Sequence, residues 1–313
     1  MSREGSLALL VPGAGGQLAT DVLDLVRGER NAFAKGLTLA DLDVTDPFAV
    51  KDMIGTWARL LRSDSPHHQL VVVNCAAYTA VDGAENDEDA AYAVNATAPA
   101  LLAQACRAAG ARLLHVSTDY VFPGDRVDGP PYDVDDATGP RSAYGRTKLA
   151  GEQAVRELHP DGGYVVRTAW LYGATGPNFV KTMARLEKGN DTVAVVDDQR
   201  GSPTWSRDLA AGLLALARSE APAGTYHCTN GGETTWHGFT QAIFEELGAD
   251  PARVLATSSD AYPRPAPRPA YSVLDSRAWD EAGLPVRQGW REALAEAFAT
   301  RGAAFRPAVA APG

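Results

Sequence analysis

Leu7-Ala8-Leu9-Leu10-Val11-Pro12-Gly13-Ala14-Gly15-Gly16-Gln17-Leu18-Ala19 is the stretch that decides the fold. Its first five residues form a short continuous apolar run, and the glycines follow at once. Beyond them Leu18, Val22, Leu25 and Val26 recur at helical spacing until Gly28. Strand, glycine loop and helix in that order are the context in which a glycine motif becomes a dinucleotide site. Gly13 permits the tight turn, Gly16 lets backbone approach a pyrophosphate, and the helix start offers free N–H donors. Gly13, Gly15, Gly16, Gln17 and Leu18 are therefore candidate cofactor contacts, against the alternative of a glycine-rich turn with no ligand. Ala19 replaces the usual third glycine and still allows close helix–strand packing. The expected fold class is α/β: a Rossmann-type doubly wound parallel sheet with a smaller C-terminal α/β substrate domain.

Outward from this stretch, a second apolar piece at Gly36-Leu37-Thr38-Leu39 leads to Asp41-Leu42-Asp43-Val44-Thr45-Asp46-Pro47. In a doubly wound sheet this region underlies the adenosine half of the cofactor. Asp43 and Val44 are read as adenine contacts, and a helix cap at Thr45 or Asp46 is equally physical. No Arg follows directly; Arg27, Arg30 and Lys35 are the nearest cations, so NADPH and NADH both stay open. Phe48 to Leu61 mark a helix, and Leu70-Val71-Val72-Val73-Asn74 a buried strand. The strand exits into Cys75 to Asp82, where small residues leave room for a ligand. A long Ala-rich helix follows, with Val94, Leu101, Leu102 and Cys106 inward, and Asn95 reads as a core amide rather than a catalytic one.

Leu113-Leu114-His115-Val116 is another buried strand, closing on Ser117-Thr118-Asp119-Tyr120-Val121-Phe122. After a Pro-, Gly- and Asp-rich loop from Pro123 to Pro140, Tyr144 and Lys148 stand four apart on a helical pattern, so both point to one face. That geometry suits proton transfer at a carbonyl. The Lys148 ammonium is expected to lower the phenol's pKa, and the Thr118 hydroxyl to bond the oxygen where negative charge appears. Further elements are a strand at Gly163 to Thr168, a helix at Asn178 to Lys188 and a strand at Val193 to Val196. Then come a helix up to Arg218, a strand at Thr225 to Cys228, a helix at Thr235 to Leu247, a proline-rich run from Tyr262 to Pro269 and a final helix near Gly289 to Ala299. The last dozen residues read as a frayed tail. Loss of strict βα alternation predicts residues 1–170 as the dinucleotide domain, also receiving later segments near 200–230, with residues 171–313 mainly binding substrate.

The totals narrow the function classes. A chain of 313 residues, 45% hydrophobic, can bury a full core, and a net charge of −10 argues against a nucleic-acid partner. A phosphorylated small ligand stays possible, because a local site can be positive on an acidic protein. Cys75, Cys106 and Cys228 are too scattered for a disulfide framework or a zinc site, so no protein metal ligand is assigned. No charged-then-apolar leader opens the chain, and no run reaches the ~18–20 apolar residues of a membrane span. A cytoplasmic protein without a membrane partner is expected.

The set of motifs resembles the extended short-chain dehydrogenase/reductase superfamily and, within it, the dTDP-4-dehydrorhamnose reductase family. The resemblance rests on Asn74 to Asp82, Ser117 to Phe122, Tyr144 to Lys148 with Gly151-Glu152, Arg167-Thr168-Ala169-Trp170, Asn178-Phe179 and Asp198 to Thr204. Arg268-Pro269 with Ser272, Leu274 and Asp275 completes it. It implies that Tyr144 protonates a sugar C4 oxygen, that Lys148 holds the nicotinamide ribose and that Thr118 positions the carbonyl. It also implies cofactor contacts at Ala76, Ala77 and Thr79, and a substrate site of Val81, Asp119, Tyr120, Trp170, Asn178, Gln199 and Arg200. Arg200 is either the diphosphate or thymidine partner or only a surface cation. NADPH, or NADH, is the implied cofactor and a dTDP-4-keto-6-deoxysugar the implied substrate. Some relatives bind magnesium at a dimer contact; Asp21 is the one candidate ligand here, which leaves Mg2+ and the choice of monomer or homodimer undecided. A nucleotide-sugar dehydratase needs a second carboxylate where Tyr120 stands. A 4-ketoreductase for another deoxysugar, such as a dihydrostreptose-type product, shares every residue named, and a non-catalytic NADP-binding subunit has no reason to keep Thr118, Tyr144 and Lys148 together.

Overall fold

The structure is a computed structural model and describes residues 6–126 and 129–306. Six strands, β1 (Leu7–Pro12), β2 (Ala32–Leu37), β3 (Gln69–Asn74), β4 (Arg112–Thr118), β5 (Gly163–Thr168) and a late strand at Thr225–His227, form one sheet. Its order, from the late strand through β5, β4, β3 and β1 to β2, is parallel throughout. β1 is buried along its whole length, which explains why its sequence is continuously apolar rather than alternating. Strand order reverses beside β1, so the crevice at the carboxyl ends of β1 and β3 is where a ligand of such a sheet binds.

Helices α1 (Gln17–Val26) and α2 (Pro47–Asp64) cover opposite faces. Leu18, Ala19 and Val22 of α1 pack with Leu9 and Val11 of β1, whereas Val50 and Ile54 of α2 pack with Ala8 and Leu10. Short helices α3 (Val81–Ala84) and α4 (Glu88–Tyr92) lead into α5 (Ala98–Ala109), and α6 (Ala143–Leu158) packs beside α5. Later helices are α7 (Phe179–Gly189), α8 (Ser206–Arg218), α9 (Trp236–Leu247), α10 (Arg277–Glu281) and α11 (Trp290–Phe305). α8 returns to the first sheet and packs on α1. α7, α9 and α11 share a separate aromatic core with Tyr172, Trp205, Phe239 and Phe298, to which Val193–Val196 and Val254–Thr257 add a parallel pair.

Three expected boundaries move. The second strand is Ala32–Leu37 rather than Gly36 to Leu39, because the register with β1 ends at Pro12 opposite Leu37. Thr38 then enters a turn whose amide donates to Asp41 (2.9 Å). The Ala-rich helix is interrupted by a π-helical turn at Ala93–Thr97. Pro99 has no N–H for the Asn95 carbonyl, and a Cβ on Gly151 of α6 would lie 2.1 Å from that same oxygen. The final helix is kinked at Arg301 and then runs on to Phe305, which is buried against Phe298, so the expected tail begins later; residues 307–313 lie outside the described residues.

Candidate active site

The glycine turn is tied to the end of β2 by two bonds of 3.0 Å from the Gly13 and Ala14 amides to the Leu37 carbonyl. Gly13 has φ +85°, and a Cβ there would stand 2.6 Å from the Ala76 nitrogen. Only glycine fits both the left-handed backbone and the close approach of the β3 loop. Gly15 has φ +98° and faces open space, and Gly16 heads α1 without a side-chain cap. The amides of Gln17 and Leu18 in that first turn thus remain free for an anion, and the cradle fits a dinucleotide pyrophosphate.

Ala76, Ala77 and Thr79 follow β3 on the same edge. Asn95 holds their loop: Oδ1 accepts from the Tyr78 amide (2.9 Å), while Nδ2 donates to the Tyr78 carbonyl (3.1 Å) and to Thr147 Oγ1 (3.2 Å). It is a satisfied core amide, as expected. Beyond β2, Asp46 caps α2 through the Phe48 and Ala49 amides. The Asp43 carboxylate accepts from Thr45 Oγ1 and the Thr45 amide, which hold it below its ordinary range. Val44 is buried beside it.

Thr118 ends β4 and accepts from the Tyr120 amide (3.2 Å) while its hydroxyl donates to Asp119 Oδ1 (2.9 Å). α6 starts under Ser142, which caps the Gly145 amide (3.1 Å). A Cβ on Gly145 would come within 2.3 Å of the Tyr120 carbonyl, so glycine brings the helix onto the turn. Tyr144 is thereby set edge-on to Tyr120, with ring centroids 5.6 Å apart, on the turn that Thr118 begins. Burial pushes the Tyr144 phenol up to about 12, against a lowering by Thr118.

Lys148 does not act on the phenol as expected. Its ammonium is engaged elsewhere, donating to the Val116 carbonyl (2.7 Å) and standing 3.5 Å from His115 Nε2, and it is not among the groups that shift the phenol. Burial brings Lys148 down to about 8, against the charge of Glu152. The carbonyl of a β4 residue was the better-placed partner, and only the folded sheet puts it there.

Tyr120 connects this cluster to a cavity of about 750 Å³. Phe179, Met183, Val195 and Trp236 form apolar walls, while Gln199, Arg264 and Arg268 supply polar edges. Of the expected substrate residues, Tyr120 and Gln199 line it, Gln199 donating to Ser259 Oγ (2.7 Å). Asp119 is buried beside Thr118, its carboxyl pushed up to about 6 by burial. Val81 heads α3 outside the lining. Trp170 acts from behind: it stacks on Trp236 at 3.5 Å and is the one non-glycine with positive φ (47°) among the described residues.

Asn178 lies outside the lining, and Arg200 sits as the surface cation, the second of its two expected readings. Asn178 caps α7 through the Lys181 amide and donates to Gln17 Oε1 and the Gly173 carbonyl, outside the lining. Arg200 is half exposed and paired with Glu233 at 2.7 Å, also outside the cavity. The cavity's cations are instead Arg264 and Arg268, from the proline-rich run; the pairing of arginine with proline there was the available signal. Asp21 is no outward ligand either: it is buried, accepts from the Ser206 hydroxyl, and burial raises its carboxyl above the ordinary value. Among the described residues no group of three or more His, Cys, Asp or Glu stands ready for a metal ion.

A glycine turn at the sheet's switch point, with Thr, Tyr and Lys gathered at the neighbouring carboxyl edge, defines a Rossmann-type protein of the extended short-chain dehydrogenase/reductase kind. The chain belongs to the dTDP-4-dehydrorhamnose reductase family: the family model "RmlD substrate binding domain" matches residues 7–302. It is 53% identical over 303 residues to a dTDP-4-dehydrorhamnose reductase of Streptomyces griseus, covering 95% of each chain. It is 48% identical over 291 residues to a probable dTDP-4,6-dihydroxy-2-methyloxan-3-one 4-ketoreductase of Streptomyces antibioticus, covering 92% of this chain and 94% of that one. Among solved structures, a dTDP-4-dehydrorhamnose reductase of Bacillus anthracis in complex with NADP superposes with a TM-score of 0.86 at 34% identity, covering 94% of this chain and 99% of that one. No helix among the described residues is long and apolar enough to cross a membrane.

Proposed function

We propose that this chain reduces the C4 ketone of a dTDP-linked 6-deoxysugar, dTDP-4-dehydro-L-rhamnose first, with NADPH as the preferred donor and NADH as the other. The observation that carries the reading is the gathering of Thr118 and Tyr144 around Tyr120, which lines the cavity, with Lys148 one helical turn on. Bound reduced nicotinamide supplies the hydride. Tyr144, protonated at neutral pH as a phenol is and held more firmly so by burial, gives its proton to the sugar oxygen as charge develops there. Thr118 hydrogen-bonds the same oxygen and keeps it at the phenol. Lys148 turns its charge to the cofactor ribose when that is present. Gly13, Gly15 and Gly16 with the first turn of α1 receive the pyrophosphate, and Asp43, Val44, Ala76, Ala77 and Thr79 border the rest.

In the sugar-nucleotide site Tyr120, Gln199 and the stacked Trp170–Trp236 pair frame the sugar and base. Arg268, with Arg264, takes the diphosphate in place of Arg200, as a guanidinium clamps paired phosphates well. Residues 1–170 with the returning segment near 200–230 serve as the cofactor domain, and most of 171–313 as the substrate domain. The three free thiols fit a reducing, cytoplasmic setting, with the enzyme a monomer or homodimer. A second reading, a 4-ketoreductase for another dTDP-deoxysugar, is favoured by the similarity to the Streptomyces antibioticus protein.

Oxidation of NADPH with dTDP-4-dehydro-L-rhamnose, followed by NMR of the product, tests both readings. The expected result is dTDP-L-rhamnose, with Tyr144→Phe slowing turnover by roughly 10²–10⁴-fold, the usual scale for loss of a general acid. Turnover only with a different dTDP-4-ketosugar selects the second reading. No turnover with any of them, or turnover indifferent to Tyr144→Phe, overturns the proposal.

A further inference from the structure

Two buried polar side chains stand in line behind Lys148, outside the residues assigned above. Asn74 and His115 are opposite each other on β3 and β4, and both are at most 1% exposed. Asn74 Oδ1 accepts from the Ala76 amide at 3.1 Å. An amide N–H only donates, so the atom of Asn74 facing it is the oxygen, and the orientation of that side chain is settled. The NH2 of Asn74 then faces His115 Nδ1, 3.1 Å away. That nitrogen has to accept, so a neutral imidazole carries its proton on Nε2, the atom 3.5 Å from Lys148 Nζ.

We propose that Asn74 and His115 are positioning residues of the active site: a fixed hydrogen-bond direction, from the Ala76 amide through Asn74 and His115, aims an N–H at Lys148 and weakens its hold on its third proton. An ammonium has only donors to offer that N–H, whereas a neutral amine offers a lone pair. The long 3.5 Å separation, against 2.7 Å to the Val116 carbonyl, is that of two donors held apart. Burial and the charge of Lys148 keep His115 neutral, well below its ordinary pKa. The other groups facing Lys148 do not reverse the effect. The Cys75 thiol is pushed up to about 12 by burial and stays protonated, and the Tyr144 phenol is protonated likewise. Glu152, further along α6, favours the ammonium, but its carboxylate is engaged by Arg167.

The inference deepens the reading of Lys148 given above, yet its test does not depend on turnover. The full-length protein labelled with nitrogen-15 histidine reports the tautomer by NMR, with the His115 signal identified by its loss in His115→Phe. A proton on Nε2 is expected; a proton on Nδ1, or an imidazolium persisting above about pH 6.5, the unperturbed midpoint, overturns the proposal. Lysine-labelled protein then gives the Lys148 midpoint, assigned with Lys148→Arg and expected near 8 in the wild type. Asn74→Asp would accept from both the Ala76 amide and His115 Nδ1, turning Nε2 into an acceptor, and should raise that midpoint by about one pH unit, a tenfold gain in proton affinity. In the His115→Phe background the same substitution should move it less than half as far. An equal rise in both backgrounds means through-space charge alone and overturns the relay, as does no rise at all. Should Asn74→Asp not fold, the wild-type tautomer still decides.

Discussion

At the scale of single residues, Asp119 shows how position overrides type. Its carboxyl is 3% exposed and bonded to Thr118, and burial lifts it from an ordinary 3.8 to about 6. The folded state therefore binds this proton more tightly than the unfolded chain. Stability from the protonated form is complete below about pH 4 and is lost as pH rises through about 6. Asp119→Asn, which keeps the acceptor for Thr118 without the charge, is expected to be more stable than wild type at pH 7–8 by up to about 3 kcal/mol. The advantage should vanish at pH 4 in denaturant titrations; an advantage independent of pH would contradict the burial argument. Thr118, Tyr144 and Lys148 were legible because a hydroxyl at a strand end and a Tyr–Lys pair one turn apart are local patterns. The direction of the Lys148 ammonium was not, since Val116 and His115 reach it only through sheet packing.

At the scale of elements, the proline-rich run from Tyr262 to Pro269 is the piece whose meaning composition hides. Arg268 of this run donates to Asp82 Oδ2 at 2.9 Å, and the Ala266 amide donates to Asp82 Oδ1 at 3.2 Å, so α3 anchors the cavity's rim. Pro269 meets Gly124, where a Cβ would come within 2.6 Å. Arg268→Ala is expected to raise KM for the sugar nucleotide about tenfold, the scale of one charge-assisted bond, while the Kd for the cofactor changes less than twofold. Steady-state kinetics and a separate cofactor titration distinguish this from general loosening, which would weaken both. Arg200 reads in the sequence as either a diphosphate partner or a surface cation, and it lies outside the cavity, paired with Glu233, whereas Arg268, itself paired with Asp82, lines it. The βα units were readable from their apolar runs, whereas of the interruption at Ala93–Thr97 only Pro99 was visible in the sequence, the close approach of Gly151 on α6 being a product of the fold.

At the scale of the whole molecule, one buried ion pair ties together parts distant in sequence. Arg167 of β5 and Glu152 of α6 are 3% and 2% exposed and joined at 2.7 Å, with a second bond of 3.0 Å from Nε. The same guanidinium donates to the Val134 carbonyl and lies 4.9 Å over the Phe122 ring, next to His227 of the late strand. Glu152→Gln would leave that cation buried without its counter-charge and is expected to destabilise the fold by about 3–5 kcal/mol. Thermal or urea unfolding checks this, and a loss below about 1 kcal/mol would show the pair to be dispensable.

Trp170, bent into a left-handed backbone over Gly201, lies flat on Trp236 with a ring tilt of 5°. Indoles so close and so parallel share their excitation, and one of them is a wall of the cavity. The molecule thus carries its own optical label at the place where a ligand would enter, and occupancy can be followed by near-ultraviolet circular dichroism without attaching any dye.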